Sequence, residues 1–368
     1  MKLLPLLRRR PAVTAGAAVL AALALALAGC SASAPSVGRM ADGQMADVAS
    51  AALSGTLAAG GSTFQQTFQE EAISGFKAVQ PGMTVTYDGV GSGMGRTDLA
   101  ADSVSFAASD SPVPPAETAS FKGRQVLYFP VVTGPVTLSY NLPGIKGLRL
   151  SAPVIGAIFD GKIKAWDNAA IQADNPGVAL PGTTITLAVR SDSSGTTANF
   201  TQFLVDALGG AWPLGTGSTV NWPAGSRAGK GNNGVAQVVQ STPGAIGYVD
   251  FATNKALRLS FASVENRDGD FVTPSPATAA AAASQVTLAP DETFSAVWAA
   301  GAQSYPITYQ SWVLVYQSQD AAKATLLKSW IGFLVGDGQT LLPDLNYAPL
   351  PASLQSKAKE QVNKIGST

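Results

Sequence analysis

The sequence has no histidine and a single cysteine, Cys30, in 368 residues. Without imidazole, the Ser-His-Asp and Cys-His arrangements that activate a nucleophile at neutral pH cannot be assembled. One cysteine cannot close an intramolecular disulfide, so the fold must rest on its core. Charge is also sparse: Asp, Glu, Lys and Arg make up 13% of the chain, with 24 residues of each sign. Four of the basic residues, Lys2, Arg8, Arg9 and Arg10, crowd the first ten positions; taking them away leaves 20 basic against 24 acidic residues, a net charge near −4. No basic face is left for nucleic acid. An anionic ligand would have to be held by local donors and not drawn by overall charge.

Several motifs are missing as well. Ser92 fails the nucleophile-elbow pattern because Val90 and Met94 stand where glycine is required. The segment Gly91 to Gly95 misses the dinucleotide fingerprint at Arg96, and Gly225 to Gly231 departs from a P-loop at Ala224 and Gly231. No cluster at metal-ligand spacing occurs, so neither a metal nor a cofactor is expected, and a hydrolase would lack its machinery.

What is present begins with a basic front and an apolar stretch from Val13 to Ala28, ending Leu27-Ala28-Gly29-Cys30. This is the layout of a secretory leader, and its end resembles a bacterial lipobox, cut before a cysteine whose thiol then carries lipid. The alternatives are an uncleaved anchor or a buried thiol. The apolar run is short for a spanning helix, which favours residues 1–30 as a lipoprotein signal and places the body outside the cytoplasmic membrane. No later apolar run is long enough to span a bilayer. Residues 31–54 lack a sustained apolar period and read as a tether. Roughly 310 residues remain, enough for two domains with substantial cores.

Strand-like and helix-like segments alternate in that remainder, the pattern of α/β domains with largely parallel sheets. Strands are expected at 84–87, 105–108, 126–132, 136–140, 185–189, 245–249 and 312–316, and helices at 65–79, 198–208, 234–241 and 320–335. The prolines and glycine of 129–135 could carry the chain into a second domain, and 306–311 could carry it back. The expected division is a discontinuous domain, 55–133 plus 306–368, around an inserted one, 134–305. The alanine run from Ala277 to Ala283 reads as a structural helix.

Three corners stand out: Gly60-Gly61-Ser62-Thr63-Phe64, Gly91-Ser92-Gly93-Met94-Gly95 and Arg190-Ser191-Asp192-Ser193-Ser194-Gly195-Thr196-Thr197. The third follows a strand pattern and opens a helix pattern, which presents unpaired N–H groups and hydroxyls at the positive end of a helix dipole. One Gly-Ser corner is usually only a turn; three, with Arg190 and Asp110, suggest a caged oxyanion. Arg190 can donate two parallel hydrogen bonds, and Asp192 can hold its guanidinium. Asp110 is the anomaly. In an anion site a carboxylate repels its ligand unless the ligand donates a proton, as monohydrogen phosphate does and sulfate does not. Its other reading is a helix N-cap before Ser111-Pro112.

At these residues the chain resembles the periplasmic phosphate-binding proteins, the lipoprotein or soluble receptors of the phosphate-specific ABC transporter. The likeness spans about residues 55–355. Beyond the three corners it includes Tyr87-Asp88-Gly89-Val90, Ala108-Ser109-Asp110, Gly161-Lys162-Ile163-Lys164-x-Trp166, Gly229-Lys230-Gly231-Asn232-x-Gly234 and Pro243-Gly244-Ala245-Ile246-Gly247-Tyr248. The resemblance implies a type II periplasmic-binding-protein fold, with two α/β domains joined by a hinge around a buried phosphate. It implies donors from Thr63, Phe64, Ser92, Arg190, Ser194, Gly195 and Thr196, a proton-accepting Asp110, and Asp192 behind Arg190. It also implies an ABC permease and its ATPase as partners and a lipid-anchored monomer on the outer face of the cell membrane. A receptor for another oxyanion (sulfate, molybdate or phosphonate), or a surface phosphate sensor or adhesin, would share most of these features. Met94 departs from the usual glycine and could narrow the cleft, which puts the role of Gly93 in doubt, and Gly61 replaces a more usual alanine.

Overall fold

The computed structural model describes residues 52–366. The leader 1–30 with Cys30, and 31–51 of the tether, lie outside the described residues. The chain runs through β1 (Gly55–Gly61), α1 (Gln66–Val79), β2 (Met83–Asp88), α2 (Ser92–Ala100), β3 (Phe106–Ser109) and β4 (Val126–Tyr140). A middle section follows: β5 (Arg149–Leu150), α3 (Ala152–Phe159), α4 (Ala169–Asp174), β6 (Thr186–Arg190), α5 (Gly195–Leu208), β7 (Arg227–Gly229), α6 (Gly231–Ser241), β8 (Ala245–Asp250) and α7 (Phe251–Leu257). The small strands β9 (Ser260–Phe261), β10 (Ser263–Glu265) and β11 (Phe271–Val272) precede α8 (Pro276–Ala283), β12 (Thr308–Tyr316), α9 (Ala321–Leu334) and α10 (Ala352–Val362).

The main sheet has the order β2-β1-β3-β12-β4-β8-β6-β7, with β9 beside β4, and a second small sheet joins β11, β10 and β5. On one flank β1 pairs parallel with β2 and β3; on the other β6 pairs parallel with β7 and β8. The middle departs from the expected largely parallel sheet, because β12 runs antiparallel to both β3 and β4, and β4 antiparallel to β8. The segments expected at 126–132 and 136–140 are one strand. Val126 to Pro130 and Val132 to Pro135 of β4 pair with β12, with Val131 bulged between them, and Val136 to Tyr140 pair with β8.

Both prolines of β4 sit where the ladder is interrupted, as a residue with no N–H requires. Pro130 lies opposite the register shift between Ser311 and Trp312, and Pro135 is the last residue paired with β12 before the strand passes to β8. The remainder of β4 is Val, Leu, Tyr, Phe, Thr, Gly and Ser, buried at every position after Val126.

Helices cover the sheet on both flanks. Helix α1 buries Phe68, Ala72 and Phe76 at four-residue spacing, one face of a helix. Phe76 packs edge-on to Trp330 of α9 at 5.1 Å and against Phe333 at 5.2 Å. Around β8 and α5, Phe200 stacks on Tyr248 and meets Phe159, both at 4.7 Å. Burying each such ring contributes roughly 1.5–3 kcal/mol. Helix α8 begins with a capping box between Ser275 and Thr278 ahead of its alanines. Helix α2, in contrast, was not legible: Ser92-Gly93-Met94-Gly95 carries two poor helix formers and no apolar stripe.

A glycine pair ties β7 to α6. A Cβ at Gly229 would stand 2.3 Å from the Gly234 carbonyl carbon, so strand end and helix meet backbone to backbone. This close approach explains a glycine inside α6, which otherwise weakens a helix. We expect Gly229→Ala to cost about 1–3 kcal/mol, whereas Gly210→Ala, which meets nothing within 4 Å, changes stability by no more than ~0.5 kcal/mol. Urea unfolding of the two variants checks this; equal stabilities would refute the packing argument.

Candidate functional site

The first corner leaves β1 at Gly61, whose φ of +142° and contact with Ala108 admit no side chain: a Cβ would lie 2.0 Å from the Ala108 oxygen. Ser62 follows, its N–H bound to that oxygen at 2.9 Å. Its Oγ accepts from the N–H groups of Phe64 (3.0 Å) and Gln65 (3.3 Å) and donates to Asp110 Oδ1 at 2.5 Å. The second corner stacks on the first through Gly91 N–H to the Gly61 carbonyl, 2.7 Å. It delivers Ser92 at the start of α2, where its Oγ accepts from the Asp110 N–H (3.2 Å) and donates to Asp110 Oδ2 (3.3 Å). Ser311 of β12 completes the set by donating to Asp110 Oδ1. Asp110 is 2% exposed. Burial pushes its carboxyl up, and the Ser311 and Ser62 hydroxyls, the charge of Arg190 and the Ser92 hydroxyl pull it back only in part. It caps no helix, since its side chain is engaged with these serines.

The third corner begins at Arg190, the last residue of β6. Asp192 holds its guanidinium in a fork, Nε to Oδ1 at 2.8 Å and Nη2 to Oδ2 at 2.5 Å. Burial alone would raise Asp192, but the hydrogen bonds and charge of Arg190 and the Gly231 N–H, 3.0 Å away, hold it below the usual carboxylate range. The remaining guanidinium arm, Nη1, donates to Thr196 Oγ1 at 3.3 Å. Ser194 caps α5 by accepting from Thr197 N–H at 3.0 Å, and the first helical backbone bond runs from Ala198 to the Ser194 carbonyl. The N–H groups of Gly195 and Thr196 therefore precede the helix ladder and point out of its positive end.

The corners meet. A Cβ on Gly195 would be 2.4 Å from Ser92 Oγ and 2.6 Å from Asp110 Oδ2. Gly93 donates its N–H to the Ser193 carbonyl at 3.0 Å, and Asn199 Nδ2 donates to the Asp110 carbonyl at 2.6 Å. Asn232, second residue of α6, donates from Nδ2 to Thr63 Oγ1 (3.0 Å) and Thr196 Oγ1 (3.4 Å), and its Oδ1 accepts from the Asp250 N–H (3.3 Å). The result is a buried cluster with a guanidinium, a helix N-terminus and hydroxyls as donors and one carboxylate as acceptor. That set can hold an oxyanion that itself donates a proton. Among the described residues no group of His, Cys, Asp and Glu could hold a metal ion.

A model of the PBP superfamily domain matches residues 46–338. The phosphate-binding protein PstS 3 of Mycobacterium leprae is 34% identical over 324 residues, covering 84% of this chain and 87% of the relative. PstS of Xylella fastidiosa is 37% identical over 280 residues, 74% and 76% of the two chains. The chain belongs to the PstS family of phosphate-binding proteins. The fold agrees: a high-affinity periplasmic phosphate-binding protein, solved bound with phosphate, superposes with a TM-score of 0.69 at 20% identity, over 83% of this chain and 94% of that one.

Within this PstS-family chain, Thr63, Ser92, Asp110, Arg190, Asp192, Ser194, Gly195 and Thr196 all fall in the cluster. Phe64 is different: its N–H is spent on Ser62 Oγ, its carbonyl accepts from Tyr347 Oη at 2.6 Å, and its ring packs on Tyr309 at 4.4 Å. Ser194 likewise donates its own N–H to the Ser218 carbonyl at 2.9 Å, leaving its hydroxyl. Met94, in the first turn of α2, is 50% exposed. Sequence reading missed Ser62, Ser311 and Asn232. Ser62 and Asn232 lie inside the glycine-rich motifs and were within reach, whereas Ser311 carries no local signal.

One buried acid next to the cluster is poorly compensated. Asp250 caps α7 through Oδ1, accepting from Thr253 N–H at 2.8 Å, while its Oδ2 has no partner. Burial, opposed by the bonds from Thr253 and the charge of Arg190, pushes it from 3.8 up to about 6. A raised carboxyl binds its proton more tightly in the folded state, so this group withdraws stability as pH rises from about 4 through 6. Asparagine caps equally well and does not titrate. Relative to wild type, ligand-free Asp250→Asn should gain stability between pH 4 and 7 by up to about 3 kcal/mol. Thermal unfolding across that range checks it; a difference that does not change with pH would contradict the assignment.

Proposed function

We propose that this chain is an extracytoplasmic receptor that binds inorganic phosphate by buried hydrogen bonds and delivers it to an ABC permease with its ATPase. The observation that carries the reading is the buried Asp110 acceptor in one cluster with Arg190 and the open N-terminus of α5. Donors alone would accept any tetrahedral oxyanion, but an ionised acceptor rewards a ligand that still bears a proton. Near neutral pH that describes monohydrogen phosphate. The names of the relatives and the phosphate in the structural neighbour support the same ligand. The chain is a binding protein and not an enzyme.

In this reading Thr63, Ser194 and Thr196 give hydroxyl bonds, Ser92, Gly195 and Thr196 give N–H bonds from helix N-termini, and Arg190 gives a charged arm oriented by Asp192. Asp110 receives the phosphate proton. Phe64 acts through the corner it shapes. The halves 55–133 plus 306–368 and 134–305 hinge where the chain crosses between them. The passage of β4 from β12 to β8 after Pro135 supports a pivot there. Hydrogen bonds from Gly93 to Ser193, from Asn199 to Asp110 and from Asn232 to Thr63 join the two halves, as in a closed receptor. Lipid on Cys30 anchors a monomer to the outer face of the cell membrane.

Calorimetric titration of protein freed of anion by unfolding and refolding tests the site. Arg190→Ala should lose about 100-fold or more of phosphate affinity, and Asp110→Asn should acquire sulfate binding that wild type lacks at neutral pH. Undiminished phosphate affinity in Arg190→Ala would sink the site assignment. Mass spectrometry of the membrane-associated wild type should find a chain beginning at Cys30 with added lipid mass, and Cys30→Ser should lose that mass; a wild-type chain without it would refute the anchor.

A further inference from the structure

The two oxygens of Asp110 are held by different kinds of donor. Ser62 Oγ already receives two N–H groups, from Phe64 and Gln65. Its lone pairs are taken, so its proton goes to Asp110 Oδ1. Ser311 is set the same way from behind. Gln65 Nε2 donates to Ser311 Oγ at 2.6 Å and to the Trp312 carbonyl at 2.8 Å. The carbonyl accepts only, and Gln69 Nε2 donates to Gln65 Oε1 at 2.8 Å, so the amide of Gln65 cannot turn round. A hydroxyl that receives this N–H directs its proton onward, to Asp110 Oδ1. Both acceptor positions of Oδ1 are thus filled by donors that cannot reverse. Oδ2 lies beside Ser92 and Gly195.

We propose that Gln65 and Ser311 are specificity-determining positioning residues: through the one-way chain Gln69–Gln65–Ser311, with Ser62 alongside, they keep Asp110 an acceptor and turn its Oδ2 to the anion. The proposal rests on the reading that Asp110 faces the bound oxyanion. In consequence, Gln65 and Ser311 set the pH below which a fully deprotonated anion such as sulfate is admitted. A protonated Asp110 offers sulfate a donor; an ionised one repels it.

The other charged and titratable groups around Asp110 leave this task to the hydroxyls. Arg190 of β6 favours the ionised form but is forked onto Asp192, while Asp250 at the end of β8 opposes it. Tyr87, Tyr309 and Tyr347 are phenols that burial keeps neutral. Arg96 of α2 is spent on Glu117, Ser109 and Ser111. Removing a hydroxyl donor from Oδ1 therefore raises the pH at which Asp110 takes up a proton.

The test is calorimetric titration of anion-free protein with sodium sulfate and with inorganic phosphate from pH 4 to 8. The carbon-13 carboxyl titration of Asp110 in ligand-free protein gives a readout that needs no sulfate. In Gln65→Met and in Ser311→Ala, the midpoints of sulfate admission and of the carboxyl titration should rise by about 1–2 pH units. Adding Gln65→Met to Ser311→Ala should shift them no further, because the amide acts through that hydroxyl. Unmoved midpoints, or phosphate and sulfate affinities that fall in parallel at every pH, overturn the proposal. Should Gln65→Met fail to fold, Ser311→Ala carries the test. Asp110→Asn separates the two readings. If it still excludes sulfate, the site reading itself fails; if it admits sulfate at every pH while Gln65→Met leaves the midpoint in place, only the relay fails.

Discussion

Two opposite charges are buried in one cluster, and each is satisfied by partners of its own. Taking a charged group out of water costs several kcal/mol unless hydrogen bonds replace the lost hydration. Serine hydroxyls from three separate segments do this for Asp110, and the carboxylate of Asp192 does it for Arg190. Had Asp110 and Arg190 paired with each other, the site would neutralise itself and have nothing to offer an anion. The separation of the two charges is what gives the cluster a donor side and an acceptor side.

That separation depends on how closely the backbone corners approach. At Gly61, Gly91 and Gly195 a methyl group would run into Ala108, into Asp192 and Ser193, and into Ser92 and Asp110, respectively. Donors drawn from N–H groups work only if the chain itself comes this near, so the corners are glycine where they touch and serine or threonine beside it. Asn232 then links the corners, bonding to Thr63 on one side and to Thr196 and Asp250 on the other. The same economy is visible in β4, whose prolines fall where the ladder is broken and whose fifteen residues serve both flanks of the sheet.

Much of this was legible in the amino-acid order. Alternating β and helix patterns announced an α/β chain, and the strands at 84–87, 185–189 and 245–249 and the helices at 65–79 and 198–208 lie within two or three residues of their observed limits. These elements obey strong local rules: β-branched runs, a four-residue apolar period, and a corner of Gly, Ser and Thr before a helix. The motifs also singled out Ser92, Asp110, Arg190 and Gly195, because charged or glycine residues at strand ends in an apolar chain are conspicuous.

Tertiary structure alone decided the rest. The antiparallel pairing of β12 with β3 and β4 joins segments about 170 to 210 residues apart, and no local pattern encodes such a partner. For the same reason Ser311 reads as an ordinary strand serine until the register sets it against Asp110, 201 residues away. The N–H of Phe64 looks like a free corner donor until Ser62 is seen to take it. Which residues could donate or accept, and which could form a corner, can be read along the chain, since those are properties of side chains and short spans. Which donor meets which acceptor, and in which direction each hydroxyl points, depends on distances between remote segments, and only the packed fold sets those.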